Sequence, residues 1–245
     1  MRNAIKLDNP AFRVYIVTMG SCDFMVTWGG CMPKETFFNL PEEKRRLIEN
    51  TAITEFASCG FDKASINIIV QNSRISKGSF YQYFTDKKDL FLHILISVIA
   101  EKKLAYLSPV LTNPEKHDFF TFIKELFISG LKFASENPEL EKIGLWIMNN
   151  TNHPVYKELF KKTGNISMNI YKTIVSEAQS RGDFRDGVDG DFISHILPSL
   201  MTGSMDYCLK TSKKEGVTGL TGISDEIMET VDLMMEFIKE GIGNN

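Results

Sequence analysis

The sequence predicts an all-α chain, with a helix-turn-helix head near its N-terminal end and a larger helical body behind it. Apolar residues recur three and four positions apart along most of its length, the spacing of one helical face. No stretch alternates convincingly in the manner of a strand, although Ala11 to Thr18 passes for a short one. The breaks between periodic stretches carry start and stop residues, among them Ser65, Ser76, Asp86, Asn137-Pro138 and Gly182. At 245 residues the chain holds one large or two small domains, and 43% hydrophobic residues supply a substantial core. Its 24% of charged residues is ordinary for a soluble protein.

Pro41 suits the first turn of a helix, and Glu42 and Glu43 favour the positive end of its dipole. Leu47, Ile48, Ala52 and Phe56 form the buried stripe of this first helix, and Gly60 stops it. Ser65 then caps a second helix carrying Ile66, Ile69 and Val70. After a tight turn Ser76 caps a third, with Phe80 and Phe84 inward at i and i+4. Lys77, Ser79, Tyr81, Gln82 and Tyr83 occupy its other faces. Asp86 caps a fourth helix, with Asp89 three residues on, as in a capping box. That helix carries Leu90, Phe91, Ile94, Leu95, Val98 and Ile99; it is expected to run to about Leu107, where Pro109 and Pro114 close it.

A short helix rich in donors and aromatics and poor in carboxylates suits a negatively charged partner. Two short helices about a tight turn form the pattern of a helix-turn-helix whose second helix enters a DNA major groove. The charge distribution agrees. From Ser65 to Lys88 there are four cations (Arg74, Lys77, Lys87, Lys88) against one anion (Asp86), a balance of +3 within a chain of net −3. The remainder therefore carries −6. A basic patch on an acidic body fits a protein that touches DNA with one end, and argues against one that coats nucleic acid or an anionic membrane along its length. Lys77 and Gln82 are the candidates for base edges, since Lys suits guanine O6/N7 and Gln suits adenine N6/N7. Gly78 lets the backbone approach the duplex, Ser65 aims a helix N-terminus at a phosphate, and Arg74 adds a positive charge beside the DNA.

Behind Asp118 the pattern predicts a second, all-helical domain. A fifth helix spans about Asp118 to Glu136 and is dense in Phe; Asn137-Pro138 breaks it, and a sixth covers Pro138 to Asn149. His153-Pro154 starts a long seventh helix that Gly182 ends after Arg181. The eighth runs from about Asp189 to Leu209 with Pro198 as a kink, and a polar loop from Thr211 to Gly222 leads to a ninth from Ser224 to about Lys239.

The run Phe56-Ala57-Ser58-Cys59-Gly60-Phe61, Ser65, Ile75-Ser76, Lys77 through Phe84, and Lys87 resembles the N-terminal pattern of the tetracycline-repressor (TetR) family of bacterial transcriptional regulators. The resemblance is close over Leu40 to Leu95 and extends to the rest in general layout. One departure stands out: the turn position usually held by Gly is Arg74, which enters a left-handed conformation only at some cost. The resemblance implies phosphate contacts for Ser79, Tyr81 and Lys87, with one of Tyr81 and Tyr83 open to packing against the first helix instead. It implies an effector cavity among body helices that carry Phe127, Trp146, Met148, Met168 and Tyr171; the scarcity of charge there favours an apolar or aromatic small molecule. It also implies a homodimer through the last two helices, with Ile193, Ile196, Leu197, Leu200 and Met201 on one and Ile227, Val231, Met234 and Met235 on the other. Two-fold symmetry then calls for a palindromic double-stranded operator. The expected function is a ligand-released repressor in the cytoplasm; an activator, or a repressor without an effector, is the alternative within the class.

A helical-bundle enzyme and a helical ligand carrier without DNA affinity are the competing classes. The sequence has no Gly-rich phosphate loop, no Gly-x-Ser-x-Gly and no His-Glu-x-x-His, so neither catalysis nor a cofactor is expected. A carrier leaves the Lys77 to Tyr83 surface unexplained. Cys22, Cys31, Cys59 and Cys208 lack metal or disulfide spacing, and His93, His117, His153 and His195 lie far apart, so free thiols are expected, with redox sensing as the lesser alternative. No apolar run approaches the ~20 residues that span a bilayer. Residues 1–31 show no helical period, and Arg13 and Asp23 interrupt a stretch otherwise like a signal peptide. Trp28-Gly29-Gly30 is encoded by a G-rich run just ahead of Met32, as a translated ribosome-binding site would be, so the natural chain is expected to begin at Met32. An ordered arm that helps grip DNA is the alternative. The expected organisation is a non-native or disordered extension over 1–31, a DNA-binding domain over 32–86, and an effector-binding and dimerisation domain over 87–245.

Overall fold

The computed structural model describes residues 33–111, 117–212 and 223–244; the side chains of 111, 163–170 and 209–212 fall outside that description. The 1–31 extension, the start at Met32, the strand at Ala11 to Thr18, Pro114 and most of the Thr211 to Gly222 loop therefore lie outside the described residues.

The head opens with a feature that has no periodic signal, a single turn α1 (Glu35–Phe38). Helix α2 (Glu42–Lys63) follows Pro41, and its helical backbone is broken at Gly60 (φ +74), where the stop is expected. Its inner stripe is Ile48, Ala52, Ile53 and Phe56. Leu47 is exposed instead, because it lies one position off the i, i+4 row that Ile48, Ala52 and Phe56 form. Helix α3 (Ile66–Asn72), a turn in which Arg74 takes φ 53, and α4 (Lys77–Tyr83) make the helix-turn-helix. Helix α5 (Lys87–His93) passes through a π turn (Ile94–Val98) into α6 (Ile99–Leu111). The expected stop near Leu107 is overrun, with Pro109 inside the last turn. Pro109 cannot donate to the Ala105 carbonyl, and the Ser108 hydroxyl donates to that carbonyl at 3.3 Å.

The body consists of α7 (Phe119–Glu136), α8 (Pro138–Asn149), α9 (Pro154–Arg181), α10 (Gly190–Ser212) and α11 (Asp225–Ile242). Asp118 caps α7, Ser224 caps α11, and Gly182 (φ +80) ends α9, each at the expected place. Pro198 is accommodated within α10. Among the described residues there is no strand, only an isolated antiparallel bridge between Phe184 and Gly243.

Packing divides the described residues into two compact units. One holds the head as far as Lys102 together with Glu139–Lys162. In it α2 packs on α3 and α5, α3 on α4, and α1 on α4, around the fully buried Phe37, Phe56, Phe80, Phe84, Leu90 and Phe91. Each of these side chains contributes on the order of 2–3 kcal/mol by leaving water. The other unit holds Lys103–Pro138 and the chain from Thr163 onward. There α11 packs on α7 and α10, with Phe119, Phe122, Ile123, Phe127, Val231 and Ile238 buried.

Candidate nucleic-acid interface

Seven residues are too few for a helix to stand by propensity alone, so α4 depends on what holds its two ends. At its start the Ser76 hydroxyl accepts from the Ser79 N–H at 2.9 Å and shares a hydrogen bond with the Ser79 hydroxyl at 2.8 Å. Phe80 fills the core behind it. At its end the Phe80 carbonyl accepts from Phe84 N–H. The next three carbonyls accept from the start of the head: Tyr81 from Lys34 Nζ at 2.8 Å, Gln82 from Thr36 Oγ1 at 2.5 Å, and Tyr83 from Lys34 N–H at 2.8 Å.

Two more lysines serve the ends of other helices. Lys44 Nζ donates to the Ser73 and Arg74 carbonyls just past α3, at 2.9 and 3.2 Å. Lys87 Nζ donates to the Asp62 and Ala64 carbonyls at the end of α2, both at 3.0 Å, and lies 4.7 Å from the centre of the Phe61 ring. A cation at a helix C-terminus both satisfies orphan carbonyls and opposes the negative end of the dipole. Beside Lys87, the Asp86 carboxylate accepts from Asp89 N–H and the Asp89 carboxylate from Thr85 N–H, an interlocked cap. Burial pushes the Asp89 carboxyl above its ordinary value, against the Thr85 hydrogen bond.

The sequence-derived residues sort into two groups. Arg74, Lys77, Gly78, Tyr81 and Gln82 are exposed, on α4 and the turn before it. Ser79, Tyr83, Lys87 and Ser65 are half-buried and already engaged. Tyr83 packs its ring 6.2 Å from Phe37. Ser65 occupies the cap position of α3, but its side chain makes no capping bond; its N–H donates to Glu55 Oε1 at 2.8 Å. A Cβ placed on Gly78 would meet only Ser76 Oγ, at 3.6 Å. Lys34, Thr36, Phe37 and Lys44 are absent from the sequence reading, because their partners lie 29 to 56 positions away and leave no local pattern.

The residues expected around an effector fall in different units. Trp146 and Met148 belong with the head. Met148 is exposed, while Trp146 packs against Phe61, Phe91 and His153 at 5.4 to 5.8 Å between ring centres. A Cβ on Gly60 would lie 2.6 Å from Trp146 Nε1, so the indole fits only because that turn is glycine. Phe127 and Tyr171 lie in the other unit, Phe127 buried and Tyr171 donating to Met201 Sδ at 3.9 Å; the side chain of Met168 lies outside the described residues. Glu177, not singled out from sequence, holds a half-buried carboxyl that burial raises, and its Oε2 has no hydrogen-bond partner among the described residues.

The stripes expected to face a partner subunit are largely turned inward. Leu197, Ile227, Val231, Met234 and Met235 are buried in the subunit's own packing, whereas Ile193, Ile196, Leu200 and Met201 are half-buried. The exposed apolar residues of α10 and α11 are Phe192 (59%), Tyr207 (59%), Leu233 (66%) and Phe237 (68%).

Residues 48–94 match the family model described as bacterial regulatory proteins, tetR family. The chain is 23% identical over 175 residues to the "Probable acrEF/envCD operon repressor" of Escherichia coli (strain K12), spanning 70% of this chain and 78% of that one. Among solved structures, a TetR family transcriptional regulator from Chloroflexus aurantiacus J-10-fl is 27% identical with a TM-score of 0.64, covering 87% of this chain and all of that one. A transcriptional regulator from Saccharomonospora viridis in complex with choline shares the fold at 20% identity and a TM-score of 0.63, over 84% of this chain and all of that one. The matched segment carries α4 with Lys77, Gly78, Tyr81 and Gln82 outward, and over that segment the chain is similar to the TetR family of bacterial transcriptional regulators, whose fold its helical body shares.

Proposed function

We propose that this chain is a cytoplasmic repressor that binds a palindromic double-stranded operator as a homodimer and lets go when a small molecule occupies its body. Gly78 carries the reading of the head. A glycine in an exposed helix is destabilising, and packing within the chain does not require this one; close approach of a duplex does. Lys77 and Gln82 then read base edges, while Arg74, Ser79 and Tyr81 with the α3 start at Ser65 position the helix on phosphates. Tyr83 and Lys87 support that surface from behind. DNA reading belongs to 32–86 and effector and dimer functions to 87–245, of which 139–162 packs with the head. For the effector, Phe127 and Tyr171 favour an apolar or aromatic compound. Glu177 and the choline bound by a protein of the same fold make a cation the second class to try.

A gel shift on the chain's own upstream region, titrated with salt, tests the reading. Binding that weakens steeply with salt is expected, because each neutralised phosphate releases counterions. Gln82→Ala should weaken the specific duplex by roughly 1–3 kcal/mol and leave random DNA nearly unchanged. Absence of binding to any duplex would leave the ligand-carrier reading in its place. Repeating the shift with aromatic compounds and with choline identifies the releasing class.

A further inference from the structure

From the bonds that close the end of the recognition helix, we infer that Lys34 and Thr36 are positioning residues for base reading, a role that rests on the DNA-binding reading above. A helix leaves its last four carbonyls without partners of its own. In α4 these belong to Phe80, Tyr81, Gln82 and Tyr83, and each has a donor: Phe84 N–H, Lys34 Nζ, Thr36 Oγ1 and Lys34 N–H in that order. Three of the four come from a three-residue strap 46 or more positions earlier in the chain.

The consequence is geometric. Tyr81 and Gln82 hang from the peptides whose carbonyls the strap holds, so rotation of either peptide re-aims the side chain that faces the duplex. The Thr36 hydroxyl pins the Gln82 peptide itself. The strap is in turn anchored from below: Pro33 is buried, and Phe37 is fully buried with its ring 4.9 Å from Phe84 and 5.4 Å from His93. Both strap side chains make their bonds in water-exposed surroundings, where a hydrogen bond contributes little to global stability. Their effect therefore falls on the aim of the helix rather than on folding.

The experiment uses the full chain and duplexes that it selects from a random-sequence pool. Thr36→Val keeps the shape and removes the hydroxyl; Thr36→Ser keeps the hydroxyl. Thr36→Val should bind the selected duplex roughly threefold to tenfold more weakly. Its affinity for random duplex should stay within about twofold, and its own selection should relax at one base position. Its Tm should move by less than about 2 °C, and Thr36→Ser should restore wild-type selection. Lys34→Met should likewise lower the ratio of selected to random affinity. Equal losses on both duplexes, an unchanged selection in Thr36→Val and Lys34→Met, or failure of Thr36→Ser to restore it overturns the positioning role. A wild-type chain that selects no sequence overturns the DNA-binding reading, and this role with it.

Discussion

Gly78 and Lys87 differ in what the fold asks of them. A Cβ on Gly78 would make only an ordinary van der Waals contact with Ser76 Oγ, at 3.6 Å, so Gly78→Ala should raise stability by about 0.5–1 kcal/mol, the usual gain in a helix. If the duplex comes as close as proposed, the same change should weaken DNA binding, because a methyl group then intrudes on it. Chemical denaturation and a gel shift on one preparation read both signs; a variant that gains stability and keeps full DNA affinity removes the functional explanation of the glycine. Lys87 behaves in the opposite way. From sequence it is expected on a phosphate, yet its ammonium donates to Asp62 and Ala64 carbonyls and covers Phe61. Lys87→Met should therefore lower stability by about 1 kcal/mol, a value reduced for its partial exposure. The salt slope of DNA binding should change little. A slope that drops by about one with stability intact would return Lys87 to the phosphates.

Among the elements, those with local start and stop signals are legible in sequence and those held by distant partners are not. Helices α7, α8 and α9 begin where Asp118, Pro138 and Pro154 indicate, α9 ends at Gly182 and α11 begins at Ser224, because caps act within a few residues of themselves; the end of α11, expected near Lys239, has no such signal and lies at Ile242. The turn α1 is too short for a period, and its partners lie 46 or more residues away. Pro109 reads as a stop, but a neighbouring serine hydroxyl takes up the carbonyl it frees. In α11 apolar residues fall both at Ile227, Val231, Met234 and Ile238 and at Leu233 and Phe237, and periodicity alone cannot say which stripe turns inward. The outward side chains of α4 are legible because they are adjacent in sequence; the strap behind the helix is not. The caps also carry a pH signature. At Asp118 burial pushes the carboxyl up, but hydrogen bonds from Thr121 and Phe120 and the charge of Lys239 outweigh it and hold the value below the usual one. A depressed folded value adds stability above the unfolded value and loses it as pH falls through the folded one. Asp118→Ala should thus cost about 1 kcal/mol at neutral pH. Its deficit against wild type should shrink below about pH 4. Urea midpoints at pH 7 and pH 3 decide it: a deficit equal at both would show that the carboxylate's charge is irrelevant to the cap.

At the scale of the whole molecule, the proposed homodimer needs a surface that joins two copies. The inward stripes of α10 and α11 are already spent: Leu197, Ile227, Val231 and Met234 lie in the subunit's own core, where a partner cannot reach them. Facing outward are Phe192 and Tyr207 on α10 and Leu233 and Phe237, one turn apart, on α11, beside the half-buried Ile193, Ile196, Leu200 and Met201. Large apolar groups left in water on the last two helices suit the association surface that the proposed homodimer needs. The two stripes predict different failures for the same kind of substitution. A charge at Met234 is buried inside the subunit and should unfold it, at a cost of roughly 3–5 kcal/mol. Phe237→Glu should leave the subunit folded, with its helical circular dichroism and thermal transition retained, and should bury an unpaired charge only when two copies meet. Sedimentation should then show a monomer. Affinity for a palindromic duplex should fall well below that of wild type, because two recognition helices no longer arrive together, whereas affinity for a single half-site should be unchanged. A Phe237→Glu protein that sediments as a dimer would place the interface on another surface. A monomer that still binds the palindrome with wild-type affinity would show that pairing of subunits is not how this chain reads a two-fold operator.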